Sequence, residues 1–241
     1  MDAITISAAS GLQAKMDSLE MLANNIANAS TGGFKADREF YSLYISPHSS
    51  DPPLSSLPVV EQAWTDFSQG RVRPTGNPSD MALSGTGFFA VNGPNGPLYT
   101  RNGAFQVSSA GNLITADGYP VQSRVNGQPI QIDPSQPFDI SADGSVVQGG
   151  ANRGRIQLVD FAPSAAHQKI GNSYFQVDAK AVQPAASAEV GQGKIEDSNV
   201  GPAEGAVHLV SVMRQFEMLQ KAVMIGADMN RKVVEEVAKV G

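Results

Sequence analysis

The sequence Leu-Ala-Asn-Asn-Ile-Ala-Asn-Ala-Ser-Thr-Gly-Gly-Phe-Lys, residues 22–35, marks the point where a predicted helix ends. Upstream of its end, apolar residues recur at the alternating spacing of a helix seam with a period near 3.5 residues: Leu12, Met16, Leu19, Ala23 and Ile26. Gly32 and Gly33 are expected to take the positive φ that stops a helix, and Phe34 is the first apolar anchor beyond them. We therefore expect a helix over residues 1 to about 30.

Three asparagines, Asn24, Asn25 and Asn28, lie in the last turns of this helix. A primary amide donates and accepts hydrogen bonds at once, so these side chains suit a helix end that packs against other backbone. The alternative is an ordinary helix C-terminus whose asparagines face solvent.

A second helix is predicted near the C-terminus. Gly201 and Pro202 supply an N-cap and a first helical position, and Glu204 follows in the first turn. The seam beyond them has the same period as the first one: Leu209, Val212, Phe216, Leu219 and Val223. Met213 begins a second apolar face that is rich in methionine. Two seams of one period predict that the terminal helices pair as a coiled coil, while other subunits bury the remaining apolar surface.

The region between the helices divides into two parts. Residues 34–69 are broken by prolines and serines and predict an extended arm or linker. Residues 70–190 contain short apolar runs separated by turn dipeptides such as Asn92-Gly93, which predict an antiparallel β-sandwich or a partly open β-barrel. The predicted fold class is therefore α+β, with a helical core domain formed by residues 1–33 and 191–241.

The arm is rich in aromatic residues, which are too apolar for a freely solvated tether: Phe40, Tyr41, Tyr44, Trp64 and Phe67. They either cover the edge of the β-domain or dock on neighbouring subunits.

Composition excludes several classes of function. The net charge is −6 and the chain has no cysteine, so neither a basic field for nucleic acid nor a disulfide framework is expected. We also expect no membrane insertion, because no stretch approaches about 20 apolar residues. The first residues do not form the basic and apolar regions of a cleaved secretory signal.

Catalysis and metal binding are not expected either. His48, His167 and His208 lack metal-ligand spacing. The acids Asp133, Asp139 and Asp143 could be cast as glycosidase carboxylates, but loop acids beside glycine and proline more often make Asx turns. The sequence therefore predicts no catalytic, cofactor or metal site and a protein that is not an enzyme.

Residues 23–35 resemble the N-terminal signature of the bacterial flagellar rod, hook and hook-associated proteins. Six further segments are similar to that family in the expected order: residues 80–91, 99–105, 111–118, 140–146, 196–200 and 213–218. The last of them reads Met-Arg-Gln-Phe-Glu-Met, a form typical of proximal rod members, whereas distal rod and hook members more often have Gln-Arg-(Ala or Ser)-Tyr-Glu. The central domain lacks the large insertion typical of hook proteins, which also favours the rod.

The resemblance implies a structural subunit that polymerises through its terminal helices into the hollow proximal rod. The implied partners are copies of the chain, other flagellar axial proteins and the flagellar type III export apparatus. The implied location is the periplasm-spanning rod of the basal body, reached without a cleaved signal peptide. The alternatives are a distal rod protein and an unrelated secreted β-rich binding module.

The residues predicted to act in assembly come from the helix seams and from the N-terminal signature. They are Leu12, Met16, Leu19, Asn24, Asn25, Ile26, Asn28, Gly33, Phe34, Leu209, Met213, Phe216, Leu219 and Val223.

Overall fold

The computed structural model describes residues 3–45, 56–125, 127–162, 165–171 and 173–240. The chain forms two compact units. The first, here called the helical unit, consists of Met1–Ala27, Ala36–Asp66 and Gly201–Gly241. The second, called the β unit, consists of Asn28–Lys35 and Phe67–Val200.

The helical unit contains two helices and a β-hairpin. Its elements are α1 (Ala3–Ala27), β1 (Asp37–Ile45), β2 (Ser56–Thr65) and α2 (Pro202–Val240). Helix α2 begins at Pro202, the residue expected at its first position, and the backbone N–H of Gly205 donates to the carbonyl of Gly201.

The hairpin lies inside the segment that was predicted to be an extended arm. Strands β1 and β2 pair antiparallel from Asp37 opposite Thr65 to Ile45 opposite Ser56. Pro58 is tolerated in β2 because each strand of a two-stranded sheet has one unpaired edge, where a missing N–H costs no ladder hydrogen bond. Prolines at 47, 52 and 53 suggested an arm, but they fall between the strands, in residues that lie outside the described ranges.

The two helices pack against each other and run antiparallel. Gly205 of α2 lies against Ile26 of α1, and Leu219 of α2 lies against Gly11 of α1. The less exposed residues of α2 follow a regular four-three spacing: Gly205, Leu209, Val212, Phe216, Leu219, Val223 and Gly226. The predicted seam of α2 is therefore its buried side.

The seam of α1 differs from the prediction at two positions. Leu12, Leu19 and Ile26 are partly buried as expected, but Met16 is 45% exposed and Ala23 is also exposed. Lys15 and Leu22 occupy the seam instead. Leu12, Leu19 and Ile26 are seven residues apart and so fix every second position of the seam. Each position between them can be filled three or four residues after the preceding one, by Lys15 or Met16 and by Leu22 or Ala23. The hairpin also packs on α1, and Ala14 and Ser18 of this helix are buried.

The β unit is built from short strands, which all pair antiparallel. They are β3 (Val72–Pro74), β4 (Met81–Ser84), β5 (Phe88–Gly93), β6 (Gly96–Thr100), β7 (Phe105–Val107), β8 (Leu113–Thr115), β9 (Phe138–Ile140), β10 (Ser145–Gln148), β11 (Ala151–Arg155), β12 (Leu158–Phe161), β13 (His167–Ile170), β14 (Tyr174–Val177), β15 (Val182–Pro184), β16 (Glu189–Gln192) and β17 (Lys194–Glu196). A single 3₁₀ turn, Ala179–Ala181, precedes β15. The α+β class is thus confirmed.

These strands form one large sheet and several small ones. The large sheet has the order β13-β14-β6-β5-β12-β15, and a three-stranded sheet has the order β11-β10-β9. Three two-stranded sheets pair β16 with β4, β17 with β3 and β7 with β8. The last two strands, β16 and β17, therefore return to the first two, so residues 189–196 close the unit.

Strand β5 lies between the two apolar clusters of the β unit. Successive side chains of a strand point to opposite faces, so Phe89 and Val91 join one cluster while Phe88 and Ala90 join the other. The first cluster also contains Leu113, and all five of these side chains are at most 3% exposed.

The aromatic residues at the end of the arm have different positions. Phe67 packs edge-on against Phe88 and Phe175 in the second cluster, as expected for a residue that covers the edge of the β-domain. Trp64 is 39% exposed. The side chains of Phe40, Tyr41 and Tyr44 lie outside the described part of the structure.

Neither helix, over its described residues, combines the length and the apolar content that crossing a membrane requires.

The first cluster predicts a clear contrast between two apolar truncations. Leu113→Ala removes a fully buried side chain, and we expect a loss of about 2–5 kcal/mol of unfolding free energy. Val125→Ala is the control: Val125 is 82% exposed, and we expect a change within about 0.5 kcal/mol. Urea titration of the purified variants measures both values. Equal effects of the two changes would show that Leu113 is not a core residue.

Candidate functional site

Asn25 joins the end of α1 to the start of the hairpin. Its side-chain nitrogen donates to the carbonyl of Asp37 at 2.8 Å, and its side-chain oxygen accepts from the N–H of Asp37 at 3.0 Å. The amide thus replaces a backbone partner, as the sequence suggested for these asparagines. Ser18 makes a second link, because its hydroxyl lies 2.8 Å from both carboxylate oxygens of Glu39.

The other two asparagines of the helix end differ in exposure. Asn28 is buried, and its side-chain oxygen accepts from the hydroxyl of Thr31 at 3.2 Å. Asn24 lies on the exposed side of α1. Only Asn24 of the three therefore has substantial surface available to a neighbouring subunit.

Gly33 provides the sharp turn that follows α1. Of the two glycines predicted to have positive φ, only Gly33 does, with φ of 65°. A Cβ on Gly33 would lie 2.2 Å from the backbone nitrogen of Asn102, so the turn passes directly against the backbone of another segment. The N–H of Gly33 donates to the carbonyl of Glu196 at 2.8 Å.

Phe34 is an anchor inside the β unit rather than an exposed contact. It is 1% exposed, and its carbonyl accepts from the N–H of Asn199 at 3.3 Å. The ammonium group of Lys169 lies 4.7 Å from the centre of its ring, within the range of a cation–π interaction. The same ammonium group donates to the carbonyl of Lys35 at 2.7 Å.

Lys35 and Glu196 form an ion pair that has no exposed side-chain surface. The Lys35 Nζ lies 2.6 Å from Glu196 Oε1 and also donates to the carbonyl of Ser68 at 2.6 Å. Glu196 Oε1 accepts a second hydrogen bond, at 2.9 Å, from the N–H of Gly70. Two residues that are 161 positions apart in the chain are therefore joined in the interior.

Arg101 is the third charged member of this group. Its Nε lies 3.7 Å from Glu196 Oε2, and its Nη2 donates to the carbonyl of Gly85. Burial lowers the pKa of Arg101, and the carboxylates of Glu196 and Asp160 oppose that shift. We call Gly33, Lys35, Gly70, Arg101 and Glu196 the Glu196 cluster. It lies wholly within the β unit.

The Glu196 cluster connects three of the sequence motifs. Lys35 ends the N-terminal signature, Arg101 lies in the motif at residues 99–105, and Glu196 begins the motif at residues 196–200. Sequence reasoning did not assign these three side chains a role. The available signal was the presence of a charged residue in each of the three motifs.

Helix α2 presents apolar residues on the side away from its seam. They are Val207, Val210, Met213, Met218, Met224, Ile225 and Met229, and each is between 47% and 73% exposed. Met213 is the one predicted assembly residue among them, while Leu209, Phe216, Leu219 and Val223 lie in the seam. These exposed apolar side chains lie among polar ones such as Arg214 and Gln220, and together they are a candidate interaction surface.

The residues considered for catalysis have structural roles where they are described. Asp133 and Asp143 each accept hydrogen bonds from a serine two residues on, Ser135 and Ser145, and these bonds lower the pKa of both carboxyls. His167 packs against Phe67. His208 is exposed on α2, and His48 lies outside the described residues. Among the described residues, no group of three acids or histidines is arranged to hold a metal ion.

Three family models match successive parts of the chain. Residues 7–35 match the flagella basal body rod protein model, and residues 82–148 match the D1 domain of the flagellar hook protein FlgE/F/G. Residues 192–236 match the C-terminal model of the flagellar basal body rod FlgEFG proteins. The first and last of these ranges include Lys35 and Glu196.

Whole-chain relatives agree with these matches. The flagellar basal-body rod protein FlgF of Caulobacter vibrioides is 36% identical over 92% of each chain. FlgF of Mesorhizobium japonicum is 34% identical over 89% of this chain and 88% of its own length.

The chain belongs to the flagellar basal-body rod protein family.

This rod protein is a structural subunit of the flagellum, and membership of the family implies assembly with other flagellar axial proteins. FlgG of Bacillus subtilis, another basal-body rod protein, is 27% identical over 93% of this chain and 95% of its own length. The predicted family is thereby confirmed.

Gly33 of this rod protein predicts a measurable difference between two Gly→Ala changes. Both Gly33 and Gly76 have positive φ, but a Cβ on Gly76 would meet no atom within 4 Å. We expect Gly76→Ala to cost about 1–2 kcal/mol from the backbone alone. Gly33→Ala should cost clearly more, because the new methyl group collides with the backbone of Arg101 and Asn102.

Thermal unfolding of both variants measures this difference. If the two changes lower the midpoint equally, the close approach at Gly33 has no energetic weight.

Proposed function

We propose that this rod protein polymerises through its helical unit into the hollow proximal rod, and that it occupies the periplasm-spanning part of the basal body. The observation that carries this proposal is the exposed apolar side of α2. An isolated subunit leaves these residues in water, so contacts with other subunits provide the burial that the chain itself lacks.

We propose further that α1 and α2 pair as an antiparallel coiled coil. Both contact sides follow the alternating three-four spacing that keeps a seam facing its partner. The glycines Gly11 and Gly205 lie at contact points, where they allow the two backbones to approach closely. Helix α2 has 39 residues and α1 has 25, so α2 is longer by about 20 Å and α1 cannot cover all of it.

Exposed apolar side chains recur along α2. Val207, Met218 and Met229 are eleven residues apart, a spacing of almost exact whole turns that places them on one face. Met218 and Met229 are flexible and polarisable, and such side chains adapt to irregular partner surfaces. Head-to-tail contacts through this face, repeated without closing into a ring, generate a helical tube.

The proximal rod is favoured by two observations. The first is the segment Met213–Met218, which has the proximal form described above, and the second is the absence from the central domain of the large insertion typical of hook proteins. We propose copies of the chain, other axial proteins and the type III export apparatus as partners, with export that needs no cleaved signal peptide. Binding of nucleic acid and enzymatic activity form no part of the proposal.

The buried members of the predicted assembly set have an indirect role in this proposal. Asn25, Asn28, Gly33 and Phe34 are each bonded or packed within the chain. They shape the segment that follows α1, and the direct contacts with other subunits belong to the exposed residues of the helices.

Placing a charge on the apolar side of α2 tests the polymerisation proposal. Met218 is 62% exposed, so Met218→Asp should leave the free energy of unfolding of the purified subunit within about 0.5 kcal/mol of the wild-type value. Burying the new carboxylate between subunits is costly, and we expect rod assembly and motility to be lost. Gln220→Asp is the matched control, because Gln220 is exposed and, two residues further on, lies nearly opposite Met218 around the helix.

Assembly is scored by isolating basal bodies from cells that carry each variant. Motile cells with normal rods containing Met218→Asp would contradict the proposed interface. A binding module that acts as a folded monomer predicts equal behaviour of the two variants.

A further inference from the structure

The side chain and backbone of Glu196 together contact three separate segments of the chain. Its carbonyl accepts from Gly33, its Oε1 accepts from both Lys35 and Gly70, and its Oε2 faces Arg101. Segments that contact one buried residue lose their partners together when that residue moves.

Further bonds tie two of these segments, residues 33–35 and 68–70, to each other and to residues 196–199. Asn199 donates from its N–H to Phe34 and from its side chain to Ser68, and Lys35 also donates to Ser68. A Cβ on Gly70 would lie 2.0 Å from the carbonyl oxygen of Asp197, so these backbones are in direct contact. A shift of any one of these three segments would therefore break its bonds to another.

Charge makes Glu196 the sensitive member of the group. Lys35 and Arg101 are cations with at most 3% of their side-chain surface exposed, and Glu196 is the anion between them. Within the described part of the chain, Arg101 Nη1 and Glu196 Oε2 are buried without a hydrogen-bond partner. The cluster therefore has no spare hydrogen-bond partner that could replace one that is lost. Removing one partner of a buried ion pair leaves an uncompensated charge, which is strongly destabilising.

We propose that Glu196 acts as a latch of the β unit, which makes the docking of residues 33–35, 68–70 and 196–199 one cooperative event. Residues 33–35 follow α1 in the chain and residues 196–199 precede α2. The segment that leaves one helix and the segment that enters the other are therefore held or released together. This inference is independent of the proposed polymerisation.

Hydrogen exchange of the full chain with Glu196→Gln tests the latch. The informative amides are those of Gly33, Gly70 and Asn199, one from each segment, together with Val91 in β5 as an internal reference. We expect the three amides to exchange faster by a common factor of roughly a hundred or more, while Val91 keeps its wild-type rate. Glu189→Gln is the control, because Glu189 is exposed in the preceding strand, and it should change none of these rates.

The latch is contradicted if only Gly70 accelerates, because Glu196 would then be a local acceptor and not a shared one. If Glu196→Gln accelerates exchange at Val91 equally, exchange does not separate the latch from general destabilisation. A double-mutant cycle of Lys35→Met and Glu196→Met, measured by urea midpoints of the full chain, then tests the latch. The latch predicts that Lys35→Met with Glu196→Met together cost less than the sum of the single changes, since an apolar pair replaces the ion pair. Strictly additive effects would overturn it.

Discussion

The buried ion pair between Lys35 and Glu196 is the constraint on which the arrangement of the β unit depends. It joins residues that precede and follow the whole β-rich region, so the sheets between them are enclosed within one long loop of chain. The loop can be closed only when residues 33–35 and 194–199 lie side by side. The cost of burying two cations and one anion is offset by geometry: each charge has a short contact with its partner or with a backbone carbonyl.

This arrangement separates two tasks within one subunit. The β unit buries most of its large apolar side chains in two clusters, on either side of β5. The helical unit instead retains an exposed apolar side on α2, although α1 and the hairpin pack within the same unit. A structural subunit needs both properties, because one part must fold on its own while another part keeps binding surface for its neighbours.

Most of the fold could be predicted from the sequence, because its signals are local. Turn dipeptides indicated a β-rich region over residues 70–190, and the Gly201-Pro202 pair located the start of α2 within the chain. The hairpin was missed because the prolines between its strands suggested an arm. The register of the α1 seam was missed because Leu12, Leu19 and Ile26 are compatible with either Lys15 or Met16 between them. The Glu196 cluster could not be predicted, since a pairing across 161 residues leaves no periodic pattern.

We propose that assembly covers the exposed side of α2, and methionine oxidation measures this coverage directly. Met218 and Met229 are 62% and 63% exposed, whereas Met81 is fully buried in the β unit. Mild peroxide treatment followed by mass spectrometry should convert Met218 and Met229 of the free subunit to sulfoxides and spare Met81. In isolated rods we expect Met218 and Met229 to be protected to the same extent as Met81. Equal oxidation of Met218 in free subunits and in rods would contradict it.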